Sequence, residues 1–129
     1  MEKGVGEYNK FVTELNLLNF EAAHTHVTKA LDIFTSARSE AKKLENGYPK
    51  NLSFSGTIKR VAESHYAQAS HLYDAAEYGK SYLAGYGDRG VRIDTSSGMA
   101  ISIEKAAKAE EDFIKAFEEM EEKAKAFFN

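Results

Sequence analysis

Four histidines, His24, His26, His65 and His71, are the side chains best suited to move protons near neutral pH, and no cysteine is present as nucleophile or soft metal ligand. Glu21 and His24 stand three apart, which puts a carboxylate and an imidazole on one helix face. A two-metal site of the kind helical bundles build needs a second such pair and two more inward glutamates, and the sequence supplies neither. His24 and His26 point about 200° apart on a helix, and His65 and His71 diverge as well. No metal site and no cofactor are expected.

Arg60 and His65 make a pair with a nameable reaction. A cation to hold phosphate and an imidazole to transfer protons suffice for metal-free transesterification of RNA. The Arg-x-x-x-x-His spacing is similar to that of the helical ribonucleases grouped as HEPN domains, compact all-α modules whose paired motifs meet across a dimer interface. That resemblance covers two residues and the fold class, and it implies catalytic roles for Arg60 and His65. Val61 stands where that family usually has a polar residue, and the pair lies mid-chain instead of in a late helix. Residues five apart on a helix diverge by more than a right angle. Read without the resemblance, His65 is a half-buried member of an apolar stripe with a ring nitrogen bonded to a carbonyl or hydroxyl.

Two other stretches have binding chemistry. Gly85-x-Gly87-x-x-Gly90 has the spelling of a dinucleotide fingerprint, which works only between a strand and a helix. Here it follows a helical pattern, so it reads as a helix end entering a loop from Gly85 to Ser97. Main-chain amides near Gly87, with Arg89, Arg92 and a helix start at Ser97, form a candidate anion or nucleotide site. Tyr66, Tyr73, Tyr82 and Tyr86 lie along or just past the central segment, beside its apolar stripe, and are candidates for contact with a partner. Their spacing with Ala69 and Ala76, and the run Phe20-x-x-Ala23-x-x-x-Val27-x-x-Ala30-Leu31, are similar to single helices of tetratricopeptide or MIT-like modules. No 34-residue repeat follows, so that similarity concerns packing alone.

The elements that must position these residues are helical. Ile58, Ala62, His65, Ala69, Leu72, Ala76, Gly79 and Leu83 recur in steps of three and four, which predicts a helix over 55–84. Matching patterns predict helices over 20–46 and 98–128, and a short amphipathic one over 7–18 after a frayed start. Asn19 marks a bend. Asn46-Gly47-Tyr48-Pro49 predicts a stop with a left-handed cap. The expected architecture is all-α: an antiparallel bundle of three long helices plus a short N-terminal one, a single domain over 1–129. Alanine seams permit close approach, with Phe34, Leu72, Phe113 and Phe117 filling the middle and Leu44, Ile103 and Phe127 turned inward.

A net charge of −3 with acids and bases interspersed argues against nucleic acid as partner. No apolar run reaches the 18 or so residues of a membrane span, and the polar start lacks a signal-peptide core, so a cytoplasmic location is expected. The expected role is non-enzymatic: a protein-protein interaction or assembly module, with self-association as a homodimer one form of it. The HEPN-like ribonuclease and the anion-binding loop are the alternatives.

Overall fold

The computed structural model describes residues 1–128, which form four helices and no strand: α1 (Glu2–Asn16), α2 (Phe20–Gly47), α3 (Ser55–Ala84) and α4 (Arg89–Phe128). Short links make each helix antiparallel to the one before it. Phe20 at the start of α2 meets Tyr86 just past α3, with ring centroids 4.8 Å apart. Arg38, further along α2, lies 4.9 Å over the Tyr73 ring earlier in α3. From α3 to α4 the pairs run Tyr78 with Gly98, His65 with Phe113 and Arg60 with Glu119.

The bend expected at Asn19 is present, and its geometry explains why the stripe changes phase there. Leu18 adopts φ 60. Its N–H donates to Leu15 and that of Asn19 to Glu14, the paired bonds that close a helix around a left-handed residue. The Asn19 side chain turns back to the Glu14 carboxylate at 2.7 Å. The left-handed cap expected at Asn46-Gly47 is not formed: no described glycine has positive φ, and α2 runs through Gly47 to an extended Tyr48 ahead of Pro49.

Two further boundaries differ from expectation for tertiary reasons. α1 begins at Glu2, not residue 7, because Gly4 packs against the Phe34 ring and gives the first turn a buried side. α4 begins at Arg89, not residue 98. Asp88 caps it, its carboxylate accepting the Val91 N–H at 3.2 Å and its carbonyl the Arg92 N–H at 3.0 Å. Thr95 and Ser96, within the expected loop, lie inside α4 and bond back to the carbonyls of Val91 and Ile93. The loop expected over Gly85 to Ser97 is thus a turn of residues 85–88.

The packed core joins Tyr8 and Phe11 of α1 to Ala23, Val27, Ala30 and Phe34 of α2, Leu72, Ala75 and Ala76 of α3, and Ala106 of α4. It ends near Phe34 and Leu72, where α1 begins. At about 1.5 Å per residue α1 spans roughly 22 Å and α4 roughly 60 Å, so one half of the bundle has four helices and the other three. In the three-helix half the buried side chains are mostly small: Ala37, Ala41, Val61, Ala62, Ala109 and Ala116. Phe117, Leu44 and Phe127, expected inside, are 38%, 43% and 52% exposed. Ile103 and Phe20 are also exposed. No helix among the described residues is long and apolar enough to cross a membrane.

Candidate functional site

The three-helix half leaves an apolar face uncovered. α3 is its floor, with α2 and α4 on either flank, since the extended contacts run from α2 to α3 and from α3 to α4. Over the other half, α1 packs on α2, and its Tyr8, Val12 and Leu15 line a groove with Met99 and Ile103 of α4. Past Met1 that quadrant has no helix among the described residues. Phe113, Phe117 and Ala124 continue the α4 side that carries Ile103 beside α1, as residues three, four and seven apart must. Phe113 and Phe117 stack with centroids 5.8 Å apart, Ile114 is 46% exposed beside them, and Leu44 lies on the α2 flank. Phe127 and Phe128 extend the apolar surface to the bundle end, Phe127 edge-on to the buried Phe54.

His65 lies on the floor, its ring 5.3 Å from that of Phe113. Its Nδ1 is buried and has no hydrogen-bond partner in the protein, contrary to the satisfied histidine expected. Burial holds its pKa below the usual histidine value, the Met1 ammonium pushes the same way, and Glu40 opposes them. Such a histidine favours the neutral form. With no carboxylate or hydroxyl bonded to the ring, it has no relay partner for general base chemistry.

Arg60 is committed elsewhere. Its guanidinium donates to Thr57 Oγ1 at 3.2 Å and to Glu119 Oε1 at 3.0 Å, on the flank where α3 meets α4. Lys123 reaches the same two groups at 3.0 and 2.9 Å. The Lys123 and Arg60 hydrogen bonds hold the Glu119 carboxyl below the ordinary carboxylate range. The candidate pair Arg60 and His65 is therefore not brought to one place.

The four candidate anion ligands do not converge either. Gly87 and Arg89 are exposed at the turn. Arg92 donates to the Tyr86 carbonyl and lies 5.1 Å over the Tyr86 ring, while Ser97 sits two turns inside α4. The tyrosines are used within the chain. Arg38 and Lys42 cover Tyr66, Arg38 also covers Tyr73, and Tyr82 packs on Tyr86 beside Phe20. Tyr66 and Tyr73 thus brace the seam of α2 with α3.

Among the described residues no three His, Asp or Glu side chains are grouped to hold a metal. His26 pairs with Glu7 across α1 and α2 at 2.6 Å, apart from His24. The uncovered face was missed in the sequence because Phe113, Phe117 and Phe127 were all assigned inward. A signal for it was present. Phe113, Ile114, Phe117, Met120, Phe127 and Phe128 take up more than the one stripe that a seam against α3 needs.

The geometry defines a four-helix bundle left one helix short over half its length. Comparison of the chain with protein-family models, curated proteins and solved structures finds no match.

Proposed function

We propose that this protein is a non-enzymatic interaction module that binds a helix of another protein along the half of the bundle that α1 leaves uncovered. The supporting observation is that Leu44, Ile114, Phe117, Phe127 and Phe128 stand exposed in the half that α1 does not reach, next to the stacked Phe113. Val5, Leu17, Leu18, Phe20, Tyr78, Ile93, Ile101 and Ile103 are exposed in the other half, where Tyr8 and Phe11 are buried. A bundle can bury such a stripe only against another apolar stripe, and α1 shows the kind of element that does so here. The role expected of the tyrosines passes to this face.

The test is to map amide shifts in the labelled protein as amphipathic helical peptides are added. Shifts confined to residues 41–44, 58–65 and 110–128 are expected. Phe117→Ser, which changes a side chain already 38% exposed, should weaken binding with little loss of melting temperature. Absence of any shift at this face, together with a monomeric mass in solution, would remove the reading.

A further inference from the structure

Beside α1 the bundle keeps a groove that its own side chains do not fill. It runs between α1 and α4 with α3 as its floor, in two stretches of about 510 and 220 Å³ that share Tyr8 and Ile103. α1 packs on α2, and its backbone stands off from that of α4. The α4 wall includes Ala100, Ala106 and Ala107, small enough for a neighbouring helix to come close, yet α1 does not. Val5, Val12, Leu15, Leu72 and Met99 make the rest of the lining largely apolar.

Tyr8 stands where the two stretches join. It is only 7% exposed, and its hydroxyl forms no hydrogen bond among the described residues. Polar groups buried to that degree normally have a partner, so this donor is left for something in the groove. Burial pushes the phenol up to about 12, which keeps its proton in place at neutral pH. No lysine, arginine or histidine among the described residues lines either stretch, and the one charged group is Glu110, at the end that Val5 borders.

We infer that this groove binds a neutral, slender aliphatic molecule with an ester or ketone oxygen part-way along its length, which accepts a hydrogen bond from Tyr8. Such a ligand lays an apolar arm along each stretch and offers its acceptor at the junction, as apolar sites with few polar groups require. A fatty carboxylate would find no cation and would face Glu110. From Ser96 to Glu110 the groove runs for about 20 Å. An extended chain advances about 1.2 Å per bond, so about sixteen atoms in line would occupy it. The site is separate from the uncovered face of the three-helix half and does not depend on a helix docking there.

The experiment titrates the full chain with hexyl hexanoate, whose carbonyl lies between two apolar arms, and with laurate and dodecylammonium, reading amide shifts and melting temperature. Hexyl hexanoate should shift amides of residues 5–16 and 96–110, leave those of 113–128 in place, and raise the melting temperature. Laurate and dodecylammonium should each bind at least about tenfold more weakly, because a charged head loses water there without a matching partner. Tyr8→Phe should weaken ester binding about tenfold and leave the melting temperature of the free protein unchanged, since the hydroxyl has no partner in the chain. Ala100→Leu with Ala107→Leu, both at exposed positions of the α4 wall, should fill the groove and abolish binding with the fold kept. No shift at these amides up to the solubility limit of the ester would overturn the inference. So would undiminished binding by Tyr8→Phe, or equal or tighter binding of either charged probe.

Discussion

The ring of Phe11 in α1 fits over Gly79 in α3: a methyl group on Gly79 would come 2.7 Å from Phe11 Cε2 and 3.4 Å from a Val27 methyl of α2. Three helices meet at this point, and Phe11 is fully buried there. Phe11→Ala should cost about 3–5 kcal/mol by transfer and cavity. Gly79→Ala should cost about 1–3 kcal/mol by overpacking, reduced by about 1 kcal/mol of gained helix propensity. Urea denaturation measures both; a Gly79→Ala protein more stable than wild type would contradict the close approach.

Acid should loosen α1 first. His26, as hydrogen-bond partner, holds the Glu7 carboxyl below its ordinary value of 4.5. A depressed carboxyl contributes its stabilisation above 4.5 and loses it as pH falls through the lower folded value. Hydrogen exchange of α1 amides should therefore rise relative to α3 once pH drops below 4.5. Glu7→Gln should raise α1 exchange at neutral pH and remove most of this pH dependence.

His65 gives the opposite charge type with the same direction. Its folded pKa is lowered from 6.5 mainly by burial, so the neutral ring is favoured and stability is full above 6.5. Stability falls as pH drops below 6.5, because the unfolded chain takes up the proton more readily. His65→Leu should flatten that segment of the pH profile. It should also raise stability by about 1 kcal/mol, since the unpartnered Nδ1 is removed.

Thr57 is 2% exposed, and its hydroxyl accepts from both Arg60 and Lys123. Thr57→Val keeps the shape and removes the acceptor, and should cost about 1 kcal/mol. Because Arg60 and Lys123 stay within reach of Glu119, the loss in a Thr57→Val, Glu119→Gln protein should exceed the sum of the single losses. Simple additivity in denaturant titrations would show that the cluster is not coupled.

Incubated with single-stranded RNA, the purified chain should leave it intact, and His65→Ala and Arg60→Ala should be indistinguishable from wild type in gel assays. Cleavage lost on both substitutions would restore the ribonuclease alternative.

Helix existence and order were legible in the residues because period and breaks are local. The three-four spacing from Ile58 to Leu83, the phase change at Asn19 and the stop before Pro49 depend on neighbours a few positions away. What surrounds a residue was not legible. Gly4 and Gly98 look like helix breakers until Phe34 and Tyr78 are seen against them. Arg60 and His65 suggest a pair until Glu119 claims one and Phe113 meets the other. Phe117 belongs to the same stripe as Ala106, yet only the short reach of α1 leaves it uncovered. Periodicity tells which side of a helix is apolar; whether a neighbour is long enough to cover that side is set by the packing of segments far apart in the chain.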